Sequence, residues 1–172
     1  MYHFFVTAQD GAWDKGFYEF DRSRFLEYTN EKTAEAFKVL TESHIETLLS
    51  WPCLFAYEGM GGNVRVGHLL SIKERGRWIV IEFGFYPDIP AIPFRSIEPI
   101  SLLLDIRTWE MSRTHWALKD EDLLGRLAEA HLIQSAAAKA LEAPKKSSEK
   151  LTEPKRQSSK RVSRILCKRR LS

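Results

Sequence analysis

The chain is poor in cysteine, with two in 172 residues, Cys53 and Cys167. So few thiols exclude a disulfide-stapled scaffold and make a reducing, cytoplasmic setting the expectation. No apolar run approaches the ~18–20 residues of a membrane-spanning helix. Met1-Tyr2-His3-Phe4-Phe5 lacks the basic opening of a secretory leader. Chemical signatures are missing too. No Cys-x-x-Cys or His-x-x-x-His spacing gathers ligands, so no metal site is expected, and Cys53 reads as a small buried hydrophobe. No Gly-x-Ser-x-Gly elbow presents a nucleophilic serine. Gly59-Met60-Gly61-Gly62 is glycine-rich, but strand-like sequence follows it, whereas phosphate loops lead into a helix N-terminus. It reads as a turn. Glu82 is followed by Phe83 and Gly84, not by the lysine of a metal-dependent nuclease motif. No cofactor is implied.

What is present is enough apolar and aromatic sequence, 44% and 12%, to build a core. Charge is divided unevenly. Residues 1–140 carry 15 Lys and Arg against 20 Asp and Glu, a net −5; residues 141–172 carry 11 against 3, a net +8. The last segment opens on Ala143-Pro144-Lys145-Lys146-Ser147-Ser148 and has no aromatic residue. With little to bury and much like charge, it is expected to be disordered. The organisation expected is a globular domain over 1–143 and a basic tail over 144–172, and the tail's charge suggests an anionic partner.

Within the domain, Tyr2–Thr7 reads as a strand, and Phe17–Phe20 as a second one forming a hairpin with it. Thr29-Asn30 caps a helix from Glu31, and Thr41 caps another that Pro52 stops. Cys53–Tyr57, Val64–Lys73 and Trp78–Phe85 are strands joined by the Gly59–Asn63 turn and by Arg75-Gly76, with Val64, Val66, His68, Leu70 and Ile72 on one side. Pro87, Pro90 and Pro93 punctuate an ordered loop. A short helix from Ser96 through Leu104 follows, then a closing strand at His115–Lys119. Asp120-Glu121-Asp122 opens a helix that runs to about Ala143. The fold class is therefore α+β: a small curved antiparallel sheet or barrel with flanking short helices and a C-terminal helix.

The densest polar stretch runs from Asp105 to Asp120. A carboxylate near a histidine can do acid–base work, so Glu110 with His115 is the catalytic candidate, on a hydrolase reading. The structural alternative has Trp109 and Trp116 anchoring the segment in the core, with Arg113 and Asp120 satisfying polar groups around them. Two sets of cations are candidates for phosphate contact: Lys160, Arg161, Arg164, Lys168, Arg169 and Arg170 in the tail, and Arg65, Lys73, Arg75 and Arg77 around the central hairpin. The hairpin set equally suits charge that protects sheet edges. Tyr57, Tyr86 and Phe94 lie near turns, where protein-binding surfaces often sit.

Four stretches together carry a resemblance. They are Phe25–Thr29, Trp51–Glu58, Arg65–His68 and Trp109–Asp120. In this order they resemble an uncharacterised bacterial module found N-terminal to effector domains, TIR domains among them, in multidomain proteins linked to antiphage defence. The match spans about residues 17–135. Here a short basic tail follows instead of an effector domain. The resemblance implies a non-catalytic sensing or docking role and assigns no catalytic residues. The leading expectation is thus a non-enzymatic protein-interaction or sensing module. Nucleic-acid binding through the tail and hairpin is the alternative.

Overall fold

The structure, a computed structural model, describes residues 1–142. The expected tail, with its six candidate cations, lies outside the described residues. The strands are β1 (Tyr2–Thr7), β2 (Phe17–Asp21), β3 (Pro52–Tyr57), β4 (Asn63–Arg75), β5 (Trp78–Phe85), β6 (Ile92–Pro93) and β7 (His115–Lys119). Helices α1 (Glu31–Phe37) and α2 (Glu42–Leu49) precede β3; α3 (Phe94–Ile97), α4 (Leu123–Glu129) and α5 (Ser135–Glu142) come later. The architecture is α+β around one curved, open, seven-stranded sheet. Its order is β2-β5-β4-β3-β1-β7, with β6 beside β4.

The strands are antiparallel except for one pair: β1 runs parallel to β3, His3 opposite Cys53 through Thr7 opposite Tyr57. All six residues of β1 are buried. A strand covered on both faces reads as a continuous apolar run, and Tyr2–Thr7 is such a run. β1 therefore lies inside the sheet, and the expected β1–β2 hairpin does not form. β2 pairs with β5 at the far edge, Phe17 opposite Glu82. The cause lies in the linker. Ala12–Asp14 forms a 3₁₀ turn that buries Trp13, whose indole N–H donates to the Ala56 carbonyl at 2.9 Å. Trp13 packs against Phe5, Phe55 and Phe83, and so carries the chain across one face of the sheet.

Each face has its own core. Phe4, Val6, Leu54, Val64 and Val66 pack with Ile97, Leu104, Met111 and Leu127. Phe5, Phe55, Leu69, Ile72, Ile81 and Trp116 pack on the other side with Trp13, Phe20 and Leu48. By alternation β4 gives Val64 and Val66 to one and Leu69 to the other, and a bulge between Leu69 and Ser71 adds Ile72 to the second. The extra residue, Leu70, is exposed, which keeps Leu69 and Ile72 on one face. For this reason strict alternation from Val64 misassigns both Leu70, which is exposed, and Ile72, which packs on the face opposite Val64 and Val66. Gly67 permits a close crossing, since a Cβ there would land on the Gly84 carbonyl oxygen.

The helix caps follow the sequence. The side chains of Asn30, Thr41 and Asp122 accept from the backbone N–H of Lys32, His44 and Gly125. The expected single helix from Leu123 to about Ala143 is instead two, α4 and α5. His131 adopts a left-handed φ of 57°. Its N–H bonds the Ala128 carbonyl, and the Leu132 N–H reaches back to Leu127 at 2.9 Å. This helix-ending geometry usually uses glycine, so a histidine at this position does not mark the break in sequence.

Candidate functional site

The outer edge of β7 is covered by Phe25–Thr29. The Leu26 N–H donates to the Trp116 carbonyl at 2.8 Å, and the Leu118 N–H donates to Thr29 Oγ1 at 2.8 Å. Leu26 and Tyr28 hold left-handed φ angles of 69° and 58°. Such conformations are costly for large side chains and persist only where surrounding bonds impose them. Two of the four stretches behind the resemblance, Phe25–Thr29 and Trp109–Asp120, meet at this edge.

Beneath it lies a closed polar cluster. His115, Glu110 and Lys119 are 0%, 1% and 1% exposed. Alternation along β7 places His115, Ala117 and Lys119 on one face. Glu110 comes from the 3₁₀ turn Thr108–Ser112, where its Oε1 accepts the Arg107 N–H at 3.0 Å. The Lys119 ammonium donates to Glu110 Oε1 and to the Tyr28 carbonyl, both at 3.0 Å, and lies 2.9 Å from Glu110 Oε2. Asp105 Oδ2 stands 3.9 Å away. His115 Nδ1 is 2.7 Å from the Arg113 carbonyl, so the proton resides on Nδ1. That leaves Nε2 facing Glu110 Oε2 at 3.7 Å. Burial pushes the His115 pKa down to about 4, against the Arg113 carbonyl, which favours the proton. Burial also raises the Glu110 carboxyl, against the pull of Lys119.

The structure thus brings Glu110 and His115 together, but under an ammonium and out of contact with solvent. Lys119 neutralises the carboxylate that a general base would need free. Sequence reasoning missed Lys119 as the centre of this cluster; the signal was its parity with His115 on a strand. Trp116 is fully buried, as the structural alternative has it. Trp109 is not a core anchor: it is 59% exposed and leans edge-on against Tyr28 at 4.8 Å. A 3₁₀ turn spaces successive side chains by about 120°, so the turn that buries the adjacent Glu110 and Met111 leaves Trp109 outside. Arg113 pairs with Glu27 at 2.9 Å.

Of the three residues expected near a protein-binding surface, Tyr57 and Tyr86 share a hollow elsewhere and Phe94 does not line it. A hollow of about 800 Å³ is lined by Tyr57, Arg65, Phe85, Tyr86, Pro87 and Pro90. Tyr57 lines it from the end of β3 and Tyr86 from the start of the proline loop. Phe94 lies in the adjoining hollow of about 420 Å³, and the two share Gly62 and Asn63. Phe94 itself is buried. The Arg65 guanidinium lies over the Phe85 ring, its Cζ 3.5 Å from the centroid. Among the described residues its carboxylate neighbour is Asp14, 3.8 Å away, with both side chains exposed. The Tyr57 hydroxyl accepts from the Trp13 N–H at 3.4 Å, and the Tyr86 ring stacks on His68 at 5.2 Å. Burial pushes the Tyr86 hydroxyl up to about 12, so it stays a donor.

The hairpin cations do not form one patch. Arg65 begins β4 and Arg75 ends it, about 30 Å apart at ~3.3 Å per residue. Arg77 pairs with Asp21, and Lys73 lies 3.7 Å from Glu82. Arg22 pairs with Glu74 beside them. This end of the hairpin is an alternation of charges at the β2 edge. Cys53 is buried, and burial raises its thiol pKa. Among the described residues no group of three or more His, Cys, Asp or Glu is placed to hold a metal ion, and no helix is long and apolar enough to cross a membrane. No protein-family model, curated protein or solved structure matches the chain.

Proposed function

We propose that this chain is a non-enzymatic protein-interaction module that docks a partner in the hollow between the Gly59–Asn63 turn and the proline loop. The observation that carries this reading is the convergence of Tyr57, Arg65, Phe85 and Tyr86 on one concave surface. Aromatic side chains and arginine are the residues most enriched where interfaces bind tightly. The Glu110–Lys119–His115 cluster supports a non-catalytic reading, because Lys119 holds the Glu110 carboxylate and all three side chains are closed to a substrate. The resemblance to modules ahead of effector domains supports a docking or sensing role in bacterial antiphage defence, in the cytoplasm. The basic segment adds attraction to an anionic partner.

The test is capture from a bacterial lysate by the full chain, beside its Tyr57→Ser and Tyr86→Ser variants. Partners held by the parent chain and lost by both folded variants are expected. A second reading, nucleic-acid binding, draws on the +8 charge of residues 141–172. It predicts affinity that falls steeply between two salt concentrations and ignores both tyrosines. That outcome overturns the docking proposal.

A further inference from the structure

Among the described residues Arg65 is the one cation that lines the hollow. Arginine uses two features in recognition: a flat face that stacks and an edge of N–H donors that grips an anion in two-pronged fashion. In Arg65 the face is already spent on Phe85. Stacking fixes the plane, so less side-chain freedom is lost when the edge is engaged. Among the described residues no hydrogen bond uses the Arg65 N–H groups, and the Asp14 carboxylate at 3.8 Å is a long, solvent-exposed neighbour of small energetic weight. Around this edge the walls are rings and proline, from Tyr57, Tyr86, Pro87 and Pro90. The volume, about 800 Å³, is that of a site for a few side chains.

We infer that the hollow binds an extended peptide segment of the partner that presents one aspartate or glutamate, flanked by proline or another apolar residue. The carboxylate takes the Arg65 edge, and the flanking residues lie on Tyr57 and Tyr86. This rests on the docking reading and specifies its chemistry. A single anionic group suits the site better than a polyanion. Nucleic acid would bring successive phosphates against a hollow with one arginine, with Asp14 in its wall, on a body of net −5.

The experiment displays random twelve-residue peptides to the full chain and titrates the enriched sequences by fluorescence anisotropy. The comparison uses the parent chain, Arg65→Gln and Arg65→Lys, with circular dichroism confirming that each is folded. Enrichment of Asp or Glu beside proline or apolar residues is expected. Changing that acidic residue to its amide should weaken binding to the parent about 10- to 100-fold, the loss of a charge-assisted pair. The same change should matter less than about twofold to Arg65→Gln, since coupled partners are not additive. Arg65→Lys keeps the charge without the planar fork and should recover only part of the affinity.

Enriched peptides without an acidic residue, or an amide effect that survives in Arg65→Gln, overturn the carboxylate assignment and leave the docking reading standing. Absence of any enriched peptide, with or without Arg65-dependent binding of a ten-residue oligothymidylate, overturns both.

Discussion

Replacing Lys119 by methionine should destabilise the fold by about 3–5 kcal/mol, the range for removing one partner from a buried ion pair. Lys119 is 1% exposed and is the ammonium beside a Glu110 carboxylate that is itself 1% exposed. The substitution strands that carboxylate and removes the donor of the Tyr28 carbonyl. Methionine fills much of the same space, so the loss is electrostatic rather than a cavity. At roughly 3 °C per kcal/mol for a domain of this size, the midpoint should drop by about 10–15 °C. The double variant Lys119→Met/Glu110→Met is the sharper test. With both charges gone, the desolvation penalty goes too, and most of the loss should return. A residual of about 1–2 kcal/mol is expected from the Tyr28 carbonyl and the Arg107 N–H, which lose their partners. The assay is urea and thermal unfolding followed by circular dichroism and tryptophan fluorescence. A single-variant loss below about 1 kcal/mol, or a double variant worse than either single one, refutes the reasoning.

Acidification should weaken the fold in a defined window. His3 and His115 are both held neutral by burial, each with a pKa pushed down to about 4. The unfolded chain titrates near ~6.5 and binds more protons between the two values. Their contribution is therefore complete above about pH 6.5 and lost as pH falls toward 4, by about 3 kcal/mol each. Glu110, raised by burial, acts in the opposite sense and blunts the effect. Unfolding free energy measured from pH 7 to 4.5 should fall, and His3→Gln should reduce the slope; a flat profile contradicts this. His131→Gly should add about 1 kcal/mol in urea unfolding by relieving a left-handed backbone. Gly67→Ala, which sets a Cβ against the Gly84 carbonyl, should cost several kcal/mol or prevent folding, whereas Gly62→Ala, whose nearest neighbour is 3.9 Å away, should be tolerated.

Local structure was legible because it depends on neighbours in sequence. Asn30, Thr41 and Asp122 cap helices because their side chains reach an N–H two or three residues on. The strands from Cys53 to Phe85 follow from β-branched and aromatic runs between glycine turns. What remained hidden depends on distant partners. Phe17–Asp21 is a strand by composition, but Trp13, seated on Phe55 and Phe83, decides that it pairs with β5. The parallel β1–β3 pair likewise joins residues about 50 positions apart, His3 opposite Cys53. The bulge at Leu70 shifts a face without any glycine to mark it. At the candidate sites, turn proximity singled out Tyr57 and Tyr86, and the fold places them in one hollow. Arg65 stands apart from Lys73, Arg75 and Arg77, because ten positions of one extended strand separate Arg65 from Arg75 in a charge cluster that looks compact in sequence.

The most direct test of the docking account is a nuclear magnetic resonance titration of the isotope-labelled full chain with an enriched acidic peptide. Amide shifts concentrated at Tyr57, Arg65, Phe85 and the 86–91 loop, and absent in Arg65→Gln, are the predicted result. Shifts centred on the exposed Trp109, or confined to residues beyond 142, would contradict it.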